Sequence, residues 1–333
     1  LAYWDLLYAR EPQRMVDFAR GLWEHQIHNQ KTGDFSRHAP WDQPGPGRGY
    51  DFTKEGGYMI AIWSEANASN GDEVFRRAVD TLAGRYRNKL NDRFLLDYDS
   101  VRANYCNNGH NVTLATECHD AAARFGQDDP TGKLLRELAQ KLDRGFLAVN
   151  HAPDDGRRGF IATCLTENGE PCDREGPGPG GYSVLWGMGY GKQSTAMVAV
   201  NCYHRFRQLP EGPERAAYRK LFLEAADQYL AEHVPDRKMD NDVWAVEPGV
   251  AILLEVAAYR ETGKQEYLEA AERLAHEAVA LFWRATSPLP KASLLAPQYE
   301  AMTGSDTLLL ALLAVHAESV GSKVTVPISE LDR

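Results

Sequence analysis

The chain has 333 residues, 43% of them apolar and 25% charged, which is ordinary for a folded globular protein and excludes wholesale disorder. Asp plus Glu number 47 against 37 for Lys plus Arg, a net charge of −10, so the basic footprint needed for nucleic acid or anionic membrane surfaces is missing. No apolar run is long enough to span a bilayer, and the first residues show no basic segment followed by an apolar one, so any export signal is expected to have been removed or never present.

Helical periodicity runs through the rest. Residues 11–27 place apolar side chains at i, i+3, i+4 and i+7 and predict a helix with one wet face. Residues 56–68 are apolar or small almost all round and predict a buried helix. The two kinds then alternate. Amphipathic helices are expected at 72–90, opened by Asp72, and at 130–148, opened by Pro130. Between them, 109–124 is of the buried kind. Residues 159–173 are strand-like: Cys164 and Cys172 bracket an Asn168-Gly169 turn, which reads as a β-hairpin. That pair reads either as a disulfide, implying an oxidising compartment, or as two thiols. Beyond it, buried helices are expected at 191–207, 247–260 and 304–318, and amphipathic ones at 212–233 and 264–283. A last strand-like piece falls at 323–328.

Five outer–inner helix pairs with a period of roughly 55 residues, apart from one longer interval, predict an all-α fold. It is expected to be an (α/α) toroid, an incomplete or six-hairpin barrel with a small β-hairpin insertion, forming one domain over 1–333. Links from an inner helix to the next outer one are short, whereas links into the inner helices are long: 28–55, 91–108, 149–190, 234–246 and 284–303. Long connectors in a compact domain are generally functional or disordered. All five are expected at one end, where inner-helix N-termini offer unsatisfied N–H groups and positive dipole ends.

These connectors hold the residues with chemistry in them. Arg37, His38, Trp41, Tyr105, Trp186, Lys192, Trp244, Tyr299 and Glu300 combine aromatic faces with polar groups, the mixture that suits a sugar polymer. Asn107-Asn108-Gly109-His110 opens an inner helix. The ring of helical hairpins, with outer helices such as 267–275, resembles the (α/α) toroid carbohydrate enzymes. Those include polysaccharide lyases acting on alginate, glucuronan and glycosaminoglycans, and unsaturated-uronyl hydrolases. The Asn108–His110 pair is similar to the Asn–His pair of alginate-lyase-like members, with Gly109 between the two here.

The resemblance implies β-elimination from a uronic-acid polysaccharide, glucuronan- or alginate-like. Asn108 with Arg102 or Lys192 would neutralise the uronate carboxylate, because the adjacent C–H is only weakly acidic while that group is charged. His110 would be the base, and Tyr190 or Tyr182 the base or acid. No cofactor is expected. A divalent metal is the close variant, but His110 and Glu117 lie two helical turns apart, about 10 Å, and cannot share one ion. Glu117 reads more naturally as a brace between buried helices. The rival chemistry is glycoside hydrolysis by a pair of connector carboxylates among Asp42, Asp51, Asp240, Asp242 and Glu300. A non-catalytic carbohydrate-binding scaffold is the third reading. The expected partner is an anionic polysaccharide or oligosaccharide, with neither nucleic acid nor membrane, and the protein is expected to be a secreted or periplasmic monomer.

Overall fold

The computed structural model describes residues 9–35, 53–96, 105–151, 160–166, 168–172, 181–187, 193–236, 242–284, 286–299 and 304–328. The chain divides into two compact units, Leu1–Val149 with Thr163–Cys172, and Asn150–Ala162 with Asp173–Arg333.

In the first unit, α1 (Pro12–Gly21) passes through a π turn (Leu22–Gln26) into a two-stranded ribbon, β1 (Ile27–Asn29) with β2 (Asp34–Phe35). Then come α2 (Thr53–Asn70), α3 (Glu73–Lys89), β3 (Tyr105–Asn107), α4 (Asn108–Ala122), α5 (Pro130–Leu147) and β4 (Cys164–Thr166). The starts obey local chemistry. Asp72 accepts from Val74 N–H at 2.9 Å, and Asp129 accepts from Thr131 N–H at 2.8 Å, so each caps orphan donors of the helix it precedes. Helix α2 packs on α1, α3 and α4, and α4 packs on α5. Trp63 of α2 is fully buried, donates its indole N–H to Ala19 O at 2.9 Å and meets Trp23 edge-on at 5.6 Å, which ties α1 and the π turn to α2.

The second unit contains α6 (Thr195–Gln208), α7 (Pro213–Asp227), α8 (Val246–Thr262), α9 (Gln265–Phe282) and α10 (Ser305–Ser319). Helix α8 packs on α6, α7, α9 and α10. Every residue of α8 from Val246 to Ala258 is buried, as its all-round apolar sequence requires. In α9, by contrast, the buried side chains keep to a stripe through Tyr267, Ala271, Leu274 and Ala278.

Inner helices lie parallel within each unit. In the second, Gly304 abuts Val246 at the N-terminal ends of α10 and α8, and Arg260 Nε donates to Glu318 Oε1 at 2.7 Å near their C-terminal ends. A Cβ on Gly249 would stand 2.8 Å from the Leu308 backbone nitrogen, so only glycine permits this crossing. In the first unit, Gly57 lies against Leu114 and Glu117, while further down Arg124 pairs with Glu65. The adjacent Gly56 makes room for the ring of Tyr86 on α3.

The predicted helices form, with edges adjusted by capping. Helix α6 starts at Thr195 rather than near 191 because Ser194 caps it, and α7 ends at Asp227 rather than 233. The hairpin at 164–172 forms, with Thr166 N–H on Glu170 O at 2.8 Å and Gly169 in the left-handed region at φ +78°. Cys164 and Cys172 face each other as thiols. Residues 323–328 do not form a strand: Val326 O accepts from Arg260 Nη1 at 2.8 Å, and the segment is held by that side chain instead of a neighbouring strand. The β1–β2 ribbon was not expected, being too short for a two-residue alternation to register. Among the described residues no helix is long and apolar enough to cross a membrane.

Glu255 lies fully buried in α8, and burial pushes its carboxyl well above the ordinary value of 4.5. Arg273 opposes this only in part, since its Nη2 is committed to the carbonyls of Tyr229, Leu230 and Glu232 at 3.2, 2.8 and 3.1 Å. Between 4.5 and the raised value the folded chain holds a proton that the unfolded chain lacks, so this residue makes stability fall as pH rises through that window. Thermal unfolding of Glu255→Gln against the parent from pH 4.5 upward should therefore show a shallower decline; identical slopes would place the proton elsewhere. A second pair tests the helix crossing. Gly249→Ala should lose about 1–3 kcal/mol in denaturant unfolding. Gly84→Ala, in α3 with nothing within 4 Å of its added Cβ, should gain about 0.5–1 kcal/mol.

Candidate functional site

Connector length is strongly unequal within each unit. Helices α2 and α3 are separated by 71–72 only, and α8 and α9 by 263–264, whereas α3 reaches α4 through 90–107 and α9 reaches α10 through 283–304. The long connectors lead into the N-terminal ends of inner helices, where the first turn leaves N–H groups without intrahelical acceptors.

In the first unit, β3 runs directly into α4. It pairs antiparallel with β4, Asn107 opposite Cys164, and Asn108 N–H donates to Thr163 O at 2.8 Å. The hairpin thus sets the position of the α4 N-terminus. Asn108, Asn111 and Glu117 are buried along α4. Polar groups in an inner helix carry a desolvation cost that packing alone never recovers, so such positions mark directed interactions. Glu117 lies against α2, its Cγ 3.3 Å from where a Gly57 Cβ would be. His110 is half-buried and is the titratable side chain of the first turn.

In the second unit, a buried carboxylate organises the connectors. Glu247, 1% exposed in the first turn of α8, accepts from Gly187 N–H at 2.6 Å and from Trp244 N–H at 2.9 Å. Gly187 is in the left-handed region at φ +80°, which brings its N–H to the carboxylate. Trp186, beside it, donates to Glu232 at 3.0 Å and stands edge-on to Tyr229 at 5.4 Å. The Tyr229 hydroxyl donates to Leu185 O at 3.1 Å and accepts from Ala196 N–H at 3.2 Å; burial pushes its pKa well above the ordinary value of 10.0. Tyr182 is half-buried and bridges Ala162. Next to it the Ser183 hydroxyl accepts from Phe160 and Ile161 N–H at 3.3 and 3.1 Å and lies 2.6 Å from Thr195 Oγ1.

The connector into α8 pairs with the one into α10. Trp244 bridges Ser293, and Asp242 accepts from the Ser293 hydroxyl and from Leu295 N–H. Asp242 is therefore engaged in holding two connectors together. Trp244 and Tyr299 keep 36% and 38% of their surface exposed. The Tyr299 hydroxyl donates to Asp306 in the first turn of α10, and the adjacent carboxylate raises its pKa to about 12. Both rings can offer a flat apolar face to a sugar.

Of the residues singled out in the sequence, Asn108 and His110 share the first turn of α4, with Tyr105 just before them in β3. Tyr182, Trp186, Trp244 and Tyr299 belong to the second unit. Arg37, His38, Trp41, Arg102, Tyr190, Lys192 and Glu300 lie outside the described residues, as do Asp42, Asp51 and Asp240. Among the described residues no three His, Cys, Asp or Glu side chains group as a metal site. Glu247 was missed. Its partners are the backbone N–H groups of Gly187 and Trp244, which no side-chain pattern in the sequence announces.

No family model and no curated protein matches the chain. Solved structures do. D-mannose isomerase is 12% identical with a TM-score of 0.56, covering 92% of this chain and 86% of that one. A glycoside hydrolase of family 105 from C. acetobutylicum is 13% identical with a TM-score of 0.56, covering 85% and 75%. An unsaturated glucuronyl hydrolase specific for heparin is 12% identical with a TM-score of 0.52, covering 82% and 76%. At these identities the likeness concerns the fold, which is all-α, of the (α/α)-toroid type, with a small β-hairpin insertion.

Proposed function

We propose that the protein is a carbohydrate-active enzyme and that its reaction is hydrolysis of a uronyl-containing saccharide. The observation that carries this reading is the likeness over 82% of the chain to an unsaturated glucuronyl hydrolase, joined to exposed aromatic rings on connectors that end at inner-helix N-termini. Within the second unit taken by itself, Trp244 and Tyr299 are assigned to stacking on sugar rings. His110, at the positive end of α4, is assigned to the uronyl carboxylate, which that charge distribution favours. Asn108 is buried and acts by holding the turn that presents His110. Glu247 positions Gly187 and Trp244 through their N–H groups. The carboxyl pair that hydrolysis needs is drawn from Asp42 and Asp51 in the first unit or from Asp240 and Glu300 in the second, since Asp242 is engaged by Ser293 and Leu295.

Two other chemistries compete. The D-mannose isomerase likeness covers more of the chain and favours interconversion of a free sugar. The Asn108–His110 pair at the start of α4 supports β-elimination.

One panel separates them. With an unsaturated uronyl disaccharide, ultraviolet absorbance of the double bond should fall. A rise with polyuronate would mean elimination, aldose–ketose exchange alone would mean isomerisation, and silence throughout would contradict an enzymatic role. On the active substrate, His110→Ala should lower kcat/KM by about 10²-fold or more with helical circular dichroism unchanged. Trp244→Ala should act mainly on KM, by up to about tenfold.

A further inference from the structure

The hairpin that seats α4 contains a feature that the sugar chemistry does not use. Cys164 and Cys172 lie opposite each other on its two arms with Sγ atoms 3.0 Å apart, joined also by the Cys172 N–H bond to Cys164 O at 2.8 Å. Both are thiols and both are buried, 2% and 7% exposed. The backbone around them is well held. Gly169 N–H closes the turn on Thr166 O at 2.9 Å, and Arg93 donates to the Asn168 carbonyl at the tip. The fully buried Leu165 bridges Pro171. Such a frame keeps the two sulfurs together without help from a covalent bond, and it leaves little rearrangement for one to form.

We propose that Cys164 and Cys172 form a reversible redox pair, closed by a small-molecule disulfide such as oxidised glutathione, that locks the seat of α4. In the first step the thiolate of Cys172, the more exposed of the two, attacks the reagent, forming a mixed disulfide and releasing one glutathione thiolate. The Cys164 thiolate then attacks the mixed-disulfide sulfur on Cys172, forming the Cys164–Cys172 bond and expelling the second glutathione thiolate. Each protein thiol gives up its proton, the pair loses two electrons, and the reagent is reduced to two thiols. The consequence is local. Cys164 is the register partner of Asn107, and the neighbouring Thr163 carbonyl holds Asn108 N–H, so the bond covalently closes the loop against which the first turn of α4 is built.

The test uses the whole chain. Native protein is equilibrated with oxidised glutathione, quenched with an alkylating reagent, and mapped by peptide mass without reduction. The expected result is a linked peptide containing Cys164 and Cys172, two hydrogens lighter than its reduced form, with titratable thiols in denaturant falling by two. The thermal unfolding midpoint should rise on oxidation and return with reductant, and neither shift should occur in Cys164→Ala or Cys172→Ala. Recovery of both cysteines alkylated, as separate glutathione adducts, or linked to Cys106 would overturn the proposal. The map on the parent protein decides the matter even if a variant fails to fold.

Discussion

A helix that is apolar on every side has no face to leave in water, and this constraint governs the rest of the molecule. Helix α8 shows it most plainly, being buried without interruption from Val246 to Ala258. It must be surrounded, and α6, α7, α9 and α10 surround it. Close packing of several helices is possible only where side chains are small, hence Gly249 against the Leu308 backbone and Gly57 against Leu114. The outer helices need only one stripe of contact, so their other faces can carry charged side chains, as Lys141 and Glu137 do on α5.

The same constraint explains where polar chemistry gathers. Inside such a helix a carboxylate or amide is tolerable only if something answers it. Near the N-terminal end, donors are plentiful, because connectors arrive there with their own N–H groups. Glu247 uses two of them, and Ser183 gathers two more beside Thr195. Farther down the helix donors are scarce, and burial pushes the Glu255 carboxyl well above its ordinary value. Depth along an inner helix therefore separates a carboxylate that organises connectors, Glu247, from a carboxyl whose ionisation burial opposes, Glu255.

Among the described residues, periodicity made the helices readable in the sequence in both their kinds, because burial on one face or on all faces leaves different patterns over fifteen residues. Ends were less exact where a single hydroxyl decides them, as Ser194 does for α6. The hairpin was readable from Asn168-Gly169, but the redox state of Cys164 and Cys172 was not, since spacing alone fits a thiol pair and a disulfide equally. For the candidate site, Asn108 and His110 were found through their position at a helix start. Glu247 escaped because its partners are backbone N–H groups of Gly187 and Trp244, which no side-chain pattern announces. Asp242 was grouped with the catalytic acids on composition, and only the tertiary fold shows it spent on Ser293 and Leu295.

The proposed function rests on the protein binding a sugar by its carboxylate at the start of α4. Titration calorimetry with glucuronate and with its uncharged counterpart glucose addresses it most directly. The account predicts clear preference for glucuronate, diminished by added salt and lost in the His110→Ala protein. Equal affinity for the two sugars, or a preference that survives the substitution, would contradict it.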